Sequence, residues 1–134
     1  MSDEIEIELA VELGANADAS VQQLTLYIPD GDKKGKPIEN RDHWVERAKG
    51  LRCKIGGGYT VASVAEGGWL SPSGKIIVDR PILIYSYVKE QFVQHLPELR
   101  EFLHDLGRET KQGEVAFAFD DVFYRITKFD RRAK

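Results

Sequence analysis

Apolar and β-branched residues dominate the stretch from Gly56 to Val88, and two groups of turn-forming residues divide it. The first group is Gly67-Gly68, and the second runs from Ser71 to Gly74 with a Pro-Ser-Gly sequence that suits a tight turn. Because the other residue types fit a pleated, half-buried surface, the pattern predicts a long antiparallel hairpin. Proline cannot donate a ladder hydrogen bond, so the second strand is expected to bend or break at Arg80-Pro81.

Apolar residues and glutamates alternate from Glu4 to Leu13. A period of two predicts a β-strand with one apolar and one acidic face. Such a strand suits a sheet edge, where like charges discourage pairing with another molecule. The alternative for residues 1–20 is an acidic arm that becomes ordered on a partner. A second strand is predicted from Val21 to Ile28, where Pro29 ends it.

Apolar residues at helical spacing predict a first helix from about Arg41 to Lys54, with Asn40 as a capping residue. Three consecutive glycines, Gly56 to Gly58, are expected to end it. Its buried stripe is expected to contain Trp44, Ala48, Leu51 and Ile55. Its solvent-facing side is expected to contain Arg41, Glu46, Arg47, Lys49 and Arg52.

A second helical pattern extends from Lys89 to Arg108 and is interrupted by Pro97. Proline is unfavourable inside a helix but suits its first turn. We therefore predict a short turn or helix over residues 89–95 and a main helix from Pro97 to about Leu106. Gly107 is expected to be the C-cap of this helix.

The stretch from Gln112 to Phe129 predicts a second hairpin, with Asp120-Asp121 as a two-residue turn. This register pairs Phe119 with Val122, Phe117 with Tyr124, and Val115 with Ile126 on one face. The other face is expected to carry Ala116, Ala118, Phe123 and Arg125. The basic tail, residues 130–134, is expected to be frayed.

The order of these elements, β-β-α-β-β-α-β-β, indicates an α+β fold with an antiparallel sheet of about five to six strands and two helices on one face. Its inner part is a ferredoxin-like βαββαβ core, with one strand added at each end. A chain of 134 residues with 42% apolar content suits one domain, residues 1–134.

Four residues, Gly58, Gly68, Trp69 and Gly74, carry a resemblance over roughly Leu24 to Tyr87. In this range a strand, a Trp-bearing helix, a Gly-rich turn and a Gly-x-Trp hairpin follow one another. The layout resembles a family of small uncharacterised bacterial α+β proteins with no assigned function. The resemblance implies a similar packing of sheet and helices, and it implies no catalytic residues.

The net charge of −3 is unevenly distributed, because the first twenty residues hold six acidic side chains and no lysine or arginine. The single cysteine, Cys53, excludes an internal disulfide and fits a reducing compartment. No apolar run reaches the roughly 18 residues of a membrane span, and the acidic N-terminus lacks the pattern of a signal peptide. We therefore expect a soluble cytoplasmic protein without membrane contact.

No catalytic or metal-binding motif is present in the sequence. The histidines His43, His95 and His104 lack the spacing that places two zinc ligands on one helix face, and they are interpreted as surface residues. Cys53 lies near a helix C-terminus, where the helix dipole disfavours a thiolate. We therefore predict no cofactor, no metal and no catalytic residue.

Two groups of residues are candidates for binding. An aromatic side chain beside flexible backbone can form the edge of a pocket, and such a pocket is predicted near Trp69. Its candidate residues are Glu66, Trp69, Arg80, Tyr85 and Glu114. Basic residues near aromatic ones at the C-terminus form a candidate nucleic-acid surface, although no RNP-type motif accompanies them. They are Arg125, Lys128, Arg131, Arg132 and Lys134.

The absence of a catalytic constellation leads to three functional hypotheses. The main one is a non-catalytic protein-interaction module, a homodimer or the binder of a protein partner. The first alternative is a small enzyme or ligand-binding domain with a pocket near Trp69. The second is nucleic-acid binding through the basic C-terminus, against which the overall negative charge argues.

Overall fold

The computed structural model describes residues 6–17, 22–64 and 66–131. The helices are α1 (Leu9–Leu13), α2 (Arg41–Gly56), a 3₁₀ helix (Glu90–His95) and α3 (Leu96–Glu109). The strands are β1 (Gln23–Ile28), β2 (Thr60–Ser63), β3 (Gly67–Leu70), β4 (Ile76–Asp79), β5 (Ile82–Tyr87), β6 (Val115–Phe119) and β7 (Val122–Ile126). None of the helices among these residues is both long enough and apolar enough to cross a membrane.

Five strands form one antiparallel sheet in the order β2-β5-β1-β6-β7. Without β7, this is the strand order of the ferredoxin-like βαββαβ arrangement, and β7 extends the sheet at the C-terminal side. The predicted α+β fold is therefore confirmed. The Cα register places Leu26 opposite Ile84 on one side and Phe117 on the other, which aligns the apolar face across three strands.

The core lies between one face of this sheet and the helices α2 and α3. Alternate residues of β1, Leu24, Leu26 and Ile28, are fully buried there. The predicted stripe of α2 is buried against them, as are the apolar residues of α3. No described helix packs on the opposite face of the sheet, which we call the open face. It carries Thr25, Tyr27, Leu83, Tyr85, Tyr87, Ala116, Ala118, Phe123 and Arg125.

The predicted long hairpin is divided into two parts. Its outer ends, β2 and β5, pair within the main sheet, whereas β3 and β4 form a separate two-stranded sheet. The break in the second strand falls at Arg80-Pro81, as predicted from the missing N–H of proline. We call β3, β4 and the turn between them, residues 67–79, the arm.

The predicted N-terminal strand is wrong over the described residues. Leu9–Leu13 forms a short helix that buries none of its side chains and ends at Gly14, which adopts the left-handed conformation at φ 64°. A strand needs a neighbouring strand to pair its backbone groups, whereas a helical turn satisfies them locally, as the bond from Glu12 N–H to the Glu8 carbonyl shows. Glu4 and Ile5, like Val21 of the next predicted strand, lie outside the described residues.

Arg52 was expected to face solvent, and this is wrong. Its side chain is completely buried beneath α2, and Nη2 donates to the carbonyl oxygens of Leu24 at 2.6 Å and Ser86 at 2.8 Å. Burial lowers the pKa of Arg52 to about 10, so the guanidinium stays charged at neutral pH. Arg52 therefore fastens the helix to the ends of two neighbouring strands.

Gly107 was expected to end the main helix, but α3 continues through it to Glu109. A Cβ atom at this position would overlap the ring of Phe129. The glycine therefore permits the close approach of an aromatic side chain and does not act as a cap. At α2, the expected cap Asn40 has a positive φ of 57° and makes no side-chain capping bond, while Gly57 ends the helix as expected.

The C-terminal hairpin has the predicted register, with Phe117 opposite Tyr124. Both turn residues, Asp120 and Asp121, have positive φ angles of 47° and 71°, as a type I′ turn requires. At Asp130, where the predicted frayed tail begins, the carboxylate accepts from Arg100 and the backbone N–H donates to His104, both on α3. Residues 132–134 of the predicted tail lie outside the described part of the chain.

Candidate functional site: an aromatic groove

A cavity of about 490 Å³ lies between α3, the 3₁₀ helix and the C-terminal hairpin, on the helix side of the sheet. Its volume falls in the range usual for small-molecule sites. It is lined by Leu24, Phe92, Leu96, Leu99, Arg100, Leu103, His104, Phe117, Phe119, Tyr124 and Ile126. We call this cavity the aromatic groove.

The groove exists because the helix layer covers the sheet unevenly. On β6 and β7, alternation directs Phe117, Phe119, Tyr124 and Ile126 to the helix side. Packing is complete at the start of β6, where Val115 is buried, but Tyr124 on the edge strand remains 42% exposed. An apolar surface is thus left open at the outer end of the sheet.

Two stacked pairs of aromatic rings form the walls of the groove. The rings of Phe117 and Tyr124 lie 4.9 Å apart at an angle of 8°. Those of Phe92 and Phe119 lie 5.4 Å apart at 26°. Aromatic faces of this kind provide large apolar contact area and offset-stacking surfaces for another planar ring.

Polar groups lie at the α3 side of the groove. The backbone N–H of Asp130 donates to Nδ1 of the buried His104 at 2.7 Å, so a neutral His104 ring carries its proton on Nε2. Arg100 donates from Nε and Nη2 to the two carboxylate oxygens of Asp130, at 2.7 and 3.0 Å. The hydrogen bond from Arg100 lowers the pKa of Asp130 below its usual range. His104 therefore offers a hydrogen-bond donor beside an apolar chamber, and Arg100 is held there in an ion pair with Asp130.

The side chains that line the groove are suited to binding an apolar, planar ligand. Among the described residues that line the groove, none has a carboxylate, thiol or aliphatic hydroxyl side chain. The groove can accept a planar apolar group against its aromatic rings and contact it through the imidazole of His104.

A second, smaller cavity of about 300 Å³ lies between α2 and α3. Two of its charged lining residues, Lys54 and Glu98, contact each other at 3.0 Å, and a third, Arg47, contacts Asp105 beyond the lining at 2.9 Å. Arg47 also lies over the ring of Phe102 at 5.4 Å. This cleft is therefore a packed helix–helix seam.

The residues predicted for a pocket near Trp69 are distributed over three places. Glu66 and Arg80 lie together at the base of the arm, with 3.9 Å between Oε1 and Nη2. Trp69 is 53% exposed on β3 and lines neither of the two cavities, and Tyr85 lies on the open face of β5. Glu114 immediately precedes β6, which β1 separates from β5 in the sheet. The pocket near Trp69 stays a prediction.

The predicted nucleic-acid residues also stay a prediction. Arg125 lies on the open face of β7, with Nη1 3.8 Å from Oε2 of Glu114. Lys128 and Arg131 follow along the chain, while Arg132 and Lys134 are outside the described residues. Within residues 6–17, 22–64 and 66–131, no group of three or more His, Cys, Asp or Glu side chains is placed to hold a metal ion.

The groove was not predicted from the sequence. His104 was interpreted as a surface residue, and this is wrong, because its side chain is buried. The spacing of Leu96, Arg100, Leu103 and His104 does place them on one side of α3. The burial of His104, however, depends on Phe129, whose ring meets it edge-on at a centroid distance of 6.1 Å. A contact between residues 25 positions apart leaves no local signal.

Comparison with known proteins gives a structural likeness. No family model and no curated protein matches the chain. Phage SAM lyase in complex with S-methyl-5′-thioadenosine is similar at a TM-score of 0.59 and 13% identity, over 84% of this chain and 94% of that one. Phage SAM lyase in its apo state is similar at a TM-score of 0.52 and 14% identity, over 84% and 91%.

These neighbours overturn the main functional prediction. They are structures of an enzyme, one with a ligand bound, and they point away from a non-catalytic interaction module and towards the alternative of a small enzyme or ligand-binding domain. At such low identity the likeness establishes the fold: the chain has the α+β architecture of phage SAM lyase over most of its length.

Proposed function

We propose that this chain is a small enzyme or ligand-binding domain whose aromatic groove binds the thioadenosine part of an S-adenosylmethionine-type ligand. The observation that carries the proposal is the pair of stacked ring walls around a cavity of about 490 Å³. The shared fold with a lyase whose structure contains S-methyl-5′-thioadenosine supports the choice of ligand.

The groove suits the two chemical parts of such a ligand. Adenine is a planar aromatic ring that stacks on aromatic side chains, and the Nε2–H of His104 can donate to one of its ring nitrogens. A sulfonium cation is attracted to the face of an aromatic ring within about 6 Å.

Calorimetric titration of the full chain with S-methyl-5′-thioadenosine tests the binding. Tyr124 is the residue to change, because it is 42% exposed on an edge strand and its replacement leaves the core intact. We expect Tyr124→Phe to retain affinity, since it keeps the ring. Tyr124→Ser is expected to weaken binding about 10-fold, the equivalent of losing one aromatic stacking contact of about 1.4 kcal/mol.

Val122→Ser is the matched control, because Val122 lies on the same strand with a similar exposure of 50% but does not line the groove. Its affinity should equal that of the unaltered chain. Absence of binding at millimolar ligand, or equal binding by Tyr124→Ser and the unaltered chain, contradicts the proposal.

Incubation of the chain with S-adenosylmethionine, followed by chromatography of the products, shows whether the chain is an enzyme or a domain that only binds the ligand. Release of S-methyl-5′-thioadenosine breaks the bond between sulfur and the γ carbon of the methionine part, and the electron pair stays on sulfur. The carboxylate oxygen of the same methionine part forms the new bond to the γ carbon, which gives a lactone. Accumulation of this nucleoside above the rate without protein, reduced in Tyr124→Ser, identifies an enzyme. Saturable binding without accumulation of the nucleoside identifies a binding domain. If the chain neither binds the ligand nor releases the nucleoside, both functions are rejected.

A further inference from the structure

The open face of the main sheet presents aromatic rings from three of its strands. Tyr27 lies on β1, Tyr85 and Tyr87 lie on β5, and Phe123 lies on β7. Tyr87 is 53% exposed and Phe123 is 58% exposed. These rings are therefore available for stacking on the side of the sheet that carries no described helix.

Small residues on β6 bring two of these rings together. Ala116 and Ala118 lie on the open face between β1 and β7, and the rings of Tyr27 and Phe123 meet edge to face, with their centroids 6.0 Å apart. The aromatic surface is therefore continuous from β1 to the edge strand β7.

Positive charge collects at one end of this face. Tyr27 is the residue before the last one of β1, and the loop 31–37 follows shortly after it. The backbone N–H of Lys33 donates to the carbonyl oxygen of Lys111 at 3.0 Å, which joins the loop to the turn before β6. These two segments place four exposed lysines at the same end of the sheet: Lys33, Lys34, Lys36 and Lys111.

The acidic residue inside the loop 31–37, Asp32, holds this cluster in place. Its Oδ1 atom accepts hydrogen bonds from the backbone N–H groups of Lys34 and Lys36, at 2.8 and 3.0 Å. These bonds lower the pKa of Asp32, and the nearby charges of Lys111 and Lys36 lower it further. Four ammonium groups thus surround one carboxylate, which leaves an excess of positive charge.

The overall negative charge of the chain comes from its N-terminal segment. The first twenty residues contribute −6 to the total of −3, so the rest of the chain carries +3. The sheet and its loops therefore belong to the basic part of the molecule.

We propose that the open face binds single-stranded nucleic acid, with bases stacked on its rings and phosphates at the four lysines. Lysines supply the attraction to the phosphate backbone, and aromatic side chains supply stacking that every base can use. RNA-recognition modules hold unpaired bases on aromatic residues of a four-stranded sheet in the same way. An acidic protein would complement the lysines alone, whereas a nucleic acid complements both the lysines and the rings beside them.

This surface lies on the opposite side of the sheet from the aromatic groove. None of the described residues that carry the proposal, neither the four rings nor the four lysines, lines the groove. The inference is therefore independent of the proposed ligand, and either one can fail without the other.

Fluorescence anisotropy of labelled single-stranded RNA and DNA, each of about 12 nucleotides, tests the binding with the full chain. We expect saturable binding at about 50 mM salt and weaker binding at about 200 mM salt. A duplex of the same sequence should bind less tightly than the single strands, because its bases are already paired and stacked.

Two double variants separate stacking from charge. Tyr87→Ser with Phe123→Ser should weaken binding at least about 10-fold, through the loss of stacking. Trp69→Ser is the matched control, because Trp69 has the same exposure of 53% but lies on the arm.

Lys33→Gln with Lys36→Gln should weaken binding of every sequence and should lower the slope of log affinity against log salt concentration by about 1.4. Lys75→Gln, an exposed lysine of the arm, should leave the affinity and the slope unchanged.

Far-ultraviolet circular dichroism of each variant confirms that the fold is kept. The proposal is overturned if neither RNA nor DNA binds saturably at about 50 mM salt. It is also overturned if the ring variant binds as tightly as the unaltered chain, or if heparin, a polyanion without bases, loses as much affinity as the single strands do in that variant.

Discussion

Gly107 and Gly50 make a pair of helix glycines whose replacement by alanine should have opposite effects. In α3, a Cβ atom at Gly107 overlaps three atoms of the Phe129 ring. In α2, a Cβ atom at Gly50 meets no atom within 4 Å. The two substitutions are chemically identical, so the difference between them isolates the packing of Phe129.

The expected magnitudes follow from two opposing terms. Alanine in place of a helical glycine stabilises by up to about 1 kcal/mol. At Gly107 the ring of Phe129 must leave its half-buried place beside the core and its edge contact with His104, which costs about 2–3 kcal/mol. Gly107→Ala should therefore lower the free energy of unfolding by about 1–2 kcal/mol, and Gly50→Ala should raise it by about 1 kcal/mol.

Urea unfolding followed by circular dichroism measures both values, and an unchanged slope with urea confirms that only stability has changed. If Gly107→Ala is as stable as the unaltered chain, Phe129 does not pack on α3. In that case the placement of Asp130 and His104 beside the groove is wrong as well.

Three further outcomes are expected. Gly56→Ala should destabilise the fold more than Gly107→Ala does. A Cβ atom at Gly56 overlaps the backbone carbonyl of Tyr87, and a backbone group cannot rotate away as a side chain can. An unchanged urea midpoint would count against this close approach. Arg52→Met should lower the free energy of unfolding by about 1–3 kcal/mol, since two strand carbonyls lose their donor, and a stabilised variant would refute that role. The Arg100 hydrogen bond lowers the native pKa of Asp130, so its contribution is present above the ordinary value of 3.8 and is lost as pH falls through the native pKa. The stability difference between the unaltered chain and Asp130→Asn should therefore be constant from pH 5 to 7 and shrink below pH 4, and a difference that grows on acidification would contradict it.

Local sequence patterns predicted the structure correctly where one element determines its own geometry. The Asp120-Asp121 turn and its register follow from strict alternation on both sides of two residues that tolerate positive φ. The break at Arg80-Pro81 follows from the chemistry of proline. The ferredoxin-like order follows in turn, because the hairpins and helices restrict how the strands can pair.

Features that depend on distant contacts were not predictable in this way. Arg52 is charged and lies in a helix, a pattern typical of a surface position, yet its partners are carbonyl oxygens at residues 24 and 86. The alternation of Glu4 to Leu13 predicts a strand only if a neighbouring strand is available, and the described part of this segment has none. The groove likewise arises from where α3 lies relative to β7, which no local period encodes.

The most direct test of the nucleoside site is the change in aromatic NMR signals of the full chain during titration with S-methyl-5′-thioadenosine. Saturable shifts of the ring signals of Phe117, Phe119 and Tyr124, with those of Trp69 and Tyr85 unchanged, are the predicted result. Shifts confined to Trp69 and Tyr85, or no saturable shift at millimolar ligand, would contradict the assignment of the groove as the ligand site.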